Sequence, residues 1–420
     1  MDPRIHQEAL ACIRCGFCLD ACPTFRLTGS EADSPRGRIY LMRSVAEGSL
    51  PLSSEVLSHL DRCLGCRACE AACPSGVAYG DILERFRAHA ESEARPAASR
   101  MARRALLGTM ASPGRFALLL RASQALDRLS GGSHEMPPAA AALLAGEGEA
   151  VALPDLPARP RVGHLPAVTP ASGRARHRVA VLEGCAMRVL YHATNEATVR
   201  VLARNGCEVH APAAAGCCGA LHLHAGLRED AREMARRLID ALEGGEYEAL
   251  VSNSAGCGSA LKEYGELLAD DPVYAARAGE LATRVRDVSE FLVEVGIEPP
   301  RGSCGEVVAY HDACHLAHAQ RITSAPRQVI ESIPGVRVVE LAEADMCCGS
   351  AGTYNVTQPA LARALLERKV DHVAETGASV LAAANPGCMA WITRGIRERG
   401  LPVRVAHPVE LLDAAYQAGP

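Results

Sequence analysis

The sequence predicts a multidomain protein, with an all-helical N-terminal domain followed by two tandem α/β units. Two observations predict the first domain: a four-cysteine motif occurs twice within residues 1–74, and helical spacing joins the copies. A third observation predicts the remainder, because one pattern of apolar runs and cysteines occurs twice within residues 177–420. The chain has 420 residues, which is enough for two to four domains.

The motif C-x2-C-x2-C-x3-C-P, at residues 12–23 and 63–74, predicts a pair of [4Fe–4S] clusters. Three cysteines at two-residue gaps allow one tight loop to bind three irons, and the fourth cysteine binds the other cluster of the pair. The predicted ligands of cluster 1 are Cys12, Cys15, Cys18 and Cys73, and those of cluster 2 are Cys22, Cys63, Cys66 and Cys69. A zinc ribbon is the alternative, but it has no use for a third and fourth thiol in one loop.

Residues 1–90 are predicted to form an all-α ferredoxin-type domain. The segment between the motifs has helical spacing, for example in "SPRGRIYLMRSVAEG", and "YGDILERFRAHAESEAR" continues as helix after the second motif. Bacterial ferredoxins join their motifs through strands and a shorter link. The helical spacer therefore indicates the all-helical type found in respiratory iron–sulfur subunits.

Residues 91–176 are predicted to connect this domain to the repeated units. Residues 91–130 have helical spacing and a basic bias, carried by Arg95, Arg100, Arg103, Arg104, Arg115, Arg121 and Arg128. Two interpretations of that bias stay open: a solvated helix face, which is favoured, and a surface for a partner or for anionic lipid. Residues 131–176 are rich in Gly, Pro and Ala, which predicts a linker.

Residues 177–300 and 301–420 are predicted to be two copies of one unit. We name them unit 1 and unit 2, and refer to both together as the CCG units. "RVAVLEGC" matches "VVAYHDAC", "AGCCGA" matches "DMCCGSAG", and "VSNSAGCGS" matches "AANPGCMA", at offsets of 129 to 131 residues. The repeated cysteines are Cys185, Cys217, Cys218 and Cys257 in unit 1 and Cys314, Cys347, Cys348 and Cys388 in unit 2.

Each CCG unit alternates short apolar runs with helical stretches, which predicts an α/β layer with a partly parallel sheet. The repeated cysteines fall at strand ends, where open α/β sheets bind ligands, so they are candidate ligands of further iron–sulfur clusters. A docking scaffold and a vicinal disulfide in each CCG string are the alternatives. Cys207 and Cys304 lack counterparts and are predicted to be buried core residues. No histidine is assigned as a ligand, and His315 is the nearest candidate.

The composition excludes some classes of function. The formal net charge is −5, whereas nucleic-acid binders usually carry a basic surplus, so we expect no nucleic-acid partner. The N-terminus has no apolar signal-peptide core, and no apolar run has the length of a membrane span. Eighteen cysteines in such a chain indicate metal or redox chemistry. We expect a cytoplasmic protein, with peripheral association at the inner face of the membrane left open.

The motifs resemble the iron–sulfur subunit of glycolate oxidase over nearly the whole chain, most weakly across residues 91–176. The resemblance is carried by "SPRGRIYL", "HLDRCLGCRACEAACPSG", "LEGCA", "AGCCGA", "AGCGSALKEYG" and "CCGSAGTY". The wider relatives are the small subunit of anaerobic glycerol-3-phosphate dehydrogenase, lactate-utilisation proteins and heterodisulfide reductase.

The resemblance implies an electron-transfer role in a glycolate dehydrogenase type of oxidoreductase complex. A separate FAD-binding subunit would oxidise the 2-hydroxy acid, and this chain would relay electrons from the flavin toward quinone or another acceptor. The residues agree, because no G-x-G-x-x-G follows a strand and neither lysine follows a glycine, so no catalytic residue is assigned here. The equivalent subunit of a glycerol-3-phosphate or lactate dehydrogenase complex is the alternative.

A thiol reductase like heterodisulfide reductase is a further alternative. One difference between this sequence and the cysteine pattern of those relatives argues against it. In those relatives each unit closes with C-x2-C and provides five thiols, whereas Ser254 and Asn385 occupy the first of those positions here. Four thiols per unit suffice for a cubane cluster but not for the five-thiol pattern. An iron–sulfur sensor would need a DNA-reading element with a basic face, and the sequence shows none.

Overall fold

The computed structural model describes residues 1–129, 136, 151, 153, 162–303 and 305–418. Cys304 and most of the predicted linker before residue 162 lie outside the described residues. The described chain consists of a helical N-terminal part and two α/β units, which confirms the predicted fold class.

Eight α-helices and one 3₁₀ turn lie within residues 1–129, where the structure describes no strand. Capping residues explain where two of the helices begin. Asp2 Oδ1 accepts from Arg4 N–H at 3.0 Å, and Ser34 Oγ accepts from Gly37 N–H at 3.0 Å. Helices α1 to α8 are Pro3–Ala9, Pro23–Thr28, Pro35–Ala46, Ser54–Asp61, Ala68–Ala71, Tyr79–Glu93, Ala97–Met110 and Pro113–Leu129, and the 3₁₀ turn is Glu31–Asp33.

Helices α1, α3, α4 and α6 enclose one apolar core. Its almost fully buried side chains include Ile5, Met42, Leu60, Ile82 and Phe86. Burial of a side chain of this size contributes about 1.5–3 kcal/mol. Because the cysteine loops connect these helices, the core holds both loops on a fixed support.

Helices α7 and α8 carry most of the basic bias of residues 91–130, and some of it is paired within the chain. Arg103 Nη2 donates to the carbonyl oxygen of Ala225 at 3.2 Å, and Arg104 Nη2 lies 2.8 Å from Asp230 Oδ1. These contacts attach α7 to unit 1.

Each CCG unit contains a parallel four-stranded sheet with the same strand order. The order is β3-β2-β4-β5 in unit 1 and β7-β6-β8-β9 in unit 2. A short strand within the predicted linker, β1, adds an antiparallel edge to the first sheet, where Val168 pairs with His210. Strands β1 to β9 are Val168–Thr169, His177–Val181, Cys207–His210, Ala249–Ser252, Val285–Asp287, Val307–His311, Arg337–Val339, Val380–Ala383 and Arg404–Ala406.

Helices connect the parallel strands, as crossover connections require. In unit 1, helices α9 to α16 are Ala186–Leu190, His192–Arg204, Ala220–His224, Arg228–Ala241, Ala255–Lys262, Tyr264–Leu267, Ala275–Arg284 and Val288–Val295, with a 3₁₀ turn at Ala213–Ala215. In unit 2, helices α17 to α21 are Ala325–Glu331, Tyr354–Thr357, Pro359–Glu375, Pro386–Glu398 and Pro408–Ala418, with a π-helix at His315–Ala319. None of the helices that the structure describes is both long and apolar enough to cross a membrane.

Alternate strand residues separate a shared core from two cysteine-bearing layers. Successive side chains of a strand point to opposite faces of the sheet. Val179 of β2 and Val308 of β6 therefore lie in one core, which both units share. Ala180 and Ala309 face the other way, into two separate layers, and each of these layers contains cysteines of its own unit.

A buried histidine joins the two units. His407 of unit 2 is fully buried, and its Nε2–H donates to the carbonyl oxygen of Asn253 in unit 1 at 3.0 Å. Its Nδ1 accepts from Val409 N–H at 3.1 Å, which fixes the neutral tautomer. Burial lowers the pKa of His407 to about 4, although the bond to Asn253 opposes this change.

We expect His407 to make the fold acid-sensitive. The unfolded chain binds a proton near pH 6.5 and the folded chain only near pH 4, so stability is lost as the pH falls through that window. From about pH 7.5 to about pH 5 the unfolding free energy should fall by about 2 kcal/mol from this residue. Urea unfolding at both pH values measures it, and His407→Gln should show a smaller fall. Equal falls in both proteins would contradict the assignment.

The helical domain contacts both units. Tyr354 O–H of unit 2 donates to the carbonyl oxygen of Arg62 at 2.9 Å. On the side of unit 1, Arg87 Nη1 donates to the carbonyl oxygen of His224 at 3.1 Å. The two cysteine motifs are therefore held next to the CCG units.

Candidate iron–sulfur centres

Both ferredoxin-type motifs form loops with the same backbone pattern. In each loop the residues before and after the second cysteine are left-handed: Arg14 (φ 56°) and Gly16 (φ 92°) in the first, Gly65 (φ 66°) and Arg67 (φ 63°) in the second. One glycine per loop reduces the cost of this conformation. The turns wind the backbone tightly, and Gly65 N–H donates to Cys63 Sγ at 3.4 Å.

The first motif and the end of the second motif surround one cavity. Among the cysteines that line this cavity are the four predicted for cluster 1: Cys12, Cys15, Cys18 and Cys73. Val77 N–H donates to Cys73 Sγ at 3.5 Å. Cys15 is exposed, so this cavity lies near the protein surface. The donor set fits a [4Fe–4S] cluster.

A second cavity lies beside the first. Its four cysteines are those predicted for cluster 2, Cys22, Cys63, Cys66 and Cys69. Pro35, Cys69 and Tyr79 line both cavities, so the two are immediate neighbours. Tyr79 O–H donates to Cys63 Sγ at 3.3 Å. This donor set also fits a [4Fe–4S] cluster.

A buried cation lies beside the second cavity. Arg38 of α3 is 1% exposed and lines this cavity, and its Nη1 lies 4.0 Å from Cys22 Sγ. Burial disfavours the thiolate of Cys63, but Arg38 and Arg87, with hydrogen bonds from Tyr79 and Gly65, lower its pKa below the ordinary value. Because metals bind the thiolate form, these groups prepare Cys63 as a ligand.

Arg38 is itself held by a polar network. Its Nε donates to the carbonyl oxygen of His59 at 2.7 Å and its Nη1 to Thr24 Oγ1 at 3.0 Å. Its Nη2 lies 3.7 Å from the fully buried carboxylate of Asp33, which Arg62 and His59 also contact. The network orients the guanidinium toward the thiols.

In unit 1 the four repeated cysteines come together at the ends of strands. Cys185 follows β2, and its Sγ lies 3.5 Å from Cys217 Sγ in the CCG string. Gly219 N–H donates to Cys217 Sγ at 3.5 Å, and Cys218 and Cys257 complete the group. All four are free thiols in the structure, which therefore shows no vicinal disulfide between Cys217 and Cys218.

In unit 2 the corresponding cysteines, Cys314, Cys347, Cys348 and Cys388, are all buried and lie in one apolar layer. Asn385 Nδ2 lies 3.6 Å from Cys388 Sγ. The buried amine of Lys369 lies near the CCG string and donates to the carbonyl oxygens of Glu343 and Ala344. The layer is also where the cysteine-rich unit meets the helical domain.

Cys66 lies at one of the contacts between the helical domain and unit 2. This predicted cluster 2 ligand packs against the cysteine layer of unit 2. Burial raises the pKa of Cys66, and the neighbouring Cys314 thiol adds to the increase. Cluster 2 would therefore lie between cluster 1 and unit 2.

The thiol-reductase alternative receives no support from this geometry. Of the eight repeated thiols, only Cys257 is partly exposed, and the other seven are buried. A disulfide substrate would have to reach buried sulfur atoms. Cys207 is buried in the shared core, as predicted for a cysteine without a counterpart, and burial raises its pKa to about 12.

Several residues near the thiols were not predicted from the sequence. Arg38 had no predicted role, although an arginine within the apolar spacing of "SPRGRIYL" was a signal. Lys369, one of only two lysines in the chain, was not connected to the cysteines. His315 was the nearest candidate among the histidines, and its Nδ1 lies 3.5 Å from Cys314 Sγ, whereas His311 is the one that the structure groups with two thiols.

Comparisons with known proteins agree with the domain order. The family model of a 4Fe-4S dicluster domain matches residues 8–77, and that of a cysteine-rich domain matches residues 179–262 and 308–393. The first match confirms the prediction of two [4Fe–4S] clusters in the N-terminal domain. The second supports the repeat and its clustered cysteines.

Two of the relatives match over almost the whole chain, and a third matches over about half of it. A probable glycolate oxidase iron–sulfur subunit of Bacillus subtilis (strain 168) is 37% identical, covering 96% of this chain and 93% of the relative. The glycolate oxidase iron–sulfur subunit of Escherichia coli (strain K12) is 35% identical, covering 97% and 94%. Lactate utilization protein A of Shouchella clausii (strain KSM-K16) is 35% identical over 56% of this chain and 98% of its own length.

Proposed function

Since this chain belongs to the family of glycolate oxidase iron–sulfur subunits, we propose that it relays electrons from a flavin-containing partner to an acceptor. The partner would oxidise a 2-hydroxy acid, glycolate first, and the acceptor would be quinone or another oxidant. Each [4Fe–4S] cluster, when bound, accepts and releases one electron. This chain contributes no catalytic residue to substrate oxidation.

One observation carries the proposal: the two cysteine-lined cavities are neighbours, and one of them reaches the surface. Cys15 is exposed at the first cavity, while Cys66 at the second packs against unit 2. The cysteines thus line a path from the surface into the protein. We propose the exchanged ligand sets given above, with Cys73 completing cluster 1 and Cys22 completing cluster 2, and one further metal-binding set of four cysteines in each CCG unit.

The exposed face around the first motif is the proposed docking surface for the flavin-containing partner. Phe17 and Ile13, within the cysteine loop, are 69% and 68% exposed, and Leu10 and Tyr40 are more than half exposed beside them. Apolar and aromatic side chains of this kind are typical anchors of protein interfaces. Their position next to Cys15 suits a partner that must bring a flavin close to cluster 1.

We expect Phe17→Asp to weaken binding of the partner about tenfold or more, because it places a charge in an apolar contact. The measurement is the affinity of the purified partner for this chain, together with the rate of cluster reduction in the mixture. Met101→Asp is the matched control, since Met101 is 72% exposed on α7, outside the proposed face. If Phe17→Asp and Met101→Asp bind the partner with equal affinity, Phe17 is not part of the interface.

The function itself is tested on the complex. The chain is purified without oxygen from its own cells, the co-purifying proteins are identified, and the complex is assayed with glycolate, D-lactate and glycerol 3-phosphate and an artificial acceptor. Glycolate-dependent reduction with a flavoprotein present supports the proposal. The second candidate, a lactate-oxidising complex, rests on the match to lactate utilization protein A and predicts activity with lactate instead. A chain that purifies alone and is inert to all three substrates contradicts both.

A further inference from the structure

One buried histidine beside the cysteines of unit 2 has no hydrogen-bond partner. His311 is the last residue of β6 and is 1% exposed. Neither of its ring nitrogens makes a hydrogen bond to any residue that the structure describes. Leaving a buried polar group without a partner is costly, so such groups are rare and call for an explanation.

Three elements bring this ring to two thiols. His311 ends β6, Cys348 lies in the CCG string beyond β7, and Cys388 lies in the first turn of α20, after β8. The ligand atoms of all three residues lie within 4.8 Å of one another. Ligand atoms around a single tetrahedral ion with bonds of about 2.0–2.3 Å are about 3.5–3.8 Å apart, so a small adjustment brings the three onto one metal.

The position of the ring suits coordination, because it is buried beside the two thiols and neither of its nitrogens is occupied by a hydrogen bond to a described residue. The carbonyl of Ala344 lies near the ring. A ligating histidine usually directs its other N–H at such an acceptor, which fixes the tautomer.

Comparison with unit 1 shows that the histidine is not needed for packing. By the offset of 129 residues that relates Cys185 to Cys314, the position of His311 is occupied in unit 1 by Leu182. Leu182 is buried in the cysteine layer of unit 1. A leucine therefore fills this place in the fold, and the polar ring in unit 2 needs another reason.

We propose that His311 is a direct imidazole ligand, together with Cys348 and Cys388, of a metal bound in unit 2. This rests on the proposed metal-binding role of the CCG cysteines and adds a ligand that their pattern does not contain. Imidazole and thiolate together suit iron and zinc, so the metal is either an iron of a cluster or a single zinc ion. Unit 1, with leucine in this position, would bind its metal without this ligand.

The test measures the metal content of the full-length chain, purified without oxygen, in four variants. Cys348→Ser defines which metal unit 2 holds, and we expect His311→Leu to lose at least half of that same metal. His311→Cys should retain it, because a thiolate replaces the imidazole. His318→Gln is the matched control, since His318 is also buried near this layer but has a partner, the carbonyl oxygen of Asp345 at 3.0 Å. It should keep all of the metal.

X-ray absorption at the edge of the metal that is lost gives an independent readout. The wild-type protein should show a nitrogen neighbour at about 2.0–2.1 Å that is missing in His311→Cys. Loss of iron identifies a cluster and loss of zinc identifies a single ion, and both support the proposal. Full metal content in His311→Leu, or no metal that depends on Cys348, overturns it. Reduction of the N-terminal clusters by the flavin-containing partner is measured separately and should be unchanged in His311→Leu. This measurement tests the proposed function independently of the ligand proposal.

Discussion

Replacing Cys22 by serine should abolish the cluster that the second motif holds and leave the cluster of the first motif in place. The reason is the exchange of fourth ligands: the Cys22 thiol lines the cavity of Cys63, Cys66 and Cys69 and not that of its own motif. Iron in the N-terminal domain should fall from about eight atoms to about four per chain. Electron paramagnetic resonance of the reduced protein should change from two interacting signals to one.

Four variants form a complete test of the exchange. Cys22→Ser and Cys66→Ser should lose the same signal, and Cys73→Ser and Cys12→Ser should lose the other. Cys207→Ser is the control, because this buried cysteine of the shared core belongs to no metal-binding set. If Cys22→Ser instead matches Cys12→Ser, each motif binds its own cluster and the exchanged assignment is wrong.

Replacing Arg38 by methionine should both destabilise the helical domain and lower the reduction potential of cluster 2. The carboxylate of Asp33 is fully buried, and removing one of its cations should cost about 3 kcal/mol of unfolding free energy. A reduced cluster carries one more negative charge, so loss of a cation several ångströms away disfavours reduction. The expected decrease is on the order of 100 mV.

Arg38→Lys and Arg43→Met are the matched controls. The lysine retains the positive charge but not the planar set of donors, so we expect a smaller potential change than for methionine together with a clear loss of stability. Arg43 lies on the same helix but pairs with Glu47 in a partly exposed position, and its loss should cost less than about 1 kcal/mol. Anaerobic redox titration and urea unfolding measure both effects. Equal potentials in wild type and Arg38→Met would show that this cation does not tune the cluster.

The sequence predicted those features that depend on spacing along the chain. The two motifs, the helical spacer and the repeat are periodic or local patterns, and the dicluster prediction followed from the gaps between cysteines alone. The CCG repeat likewise placed its cysteines at strand ends, where the structure has them. In these cases one short segment contains the whole signal.

The features that the sequence did not predict depend on contacts between segments that are far apart along the chain. Arg38 reaches Cys22 across 16 positions, and Tyr354 of unit 2 reaches Arg62 across 292. Neither contact can be recognised from the composition of the segments around these residues. No histidine was assigned as a ligand from the sequence, because fifteen histidines make proximity to a cysteine by chance easy, and only the fold places His311 beside two thiols. Strand β1 was not predicted, because two residues within a proline-rich segment are too few to show the alternation of a strand.

The arrangement of layers has a consequence for how duplicated proteins diverge. The two halves of the repeat share one apolar interior, which ties the folding of each copy to the other. Their cysteines lie in separate layers on the opposite faces of the sheets, so most substitutions there change the surroundings of one set of cysteines and not the other. Leu182 in one layer and His311 in the other are a difference of this kind. A gene duplication can thus preserve the common interior under strict selection while each copy acquires its own chemistry.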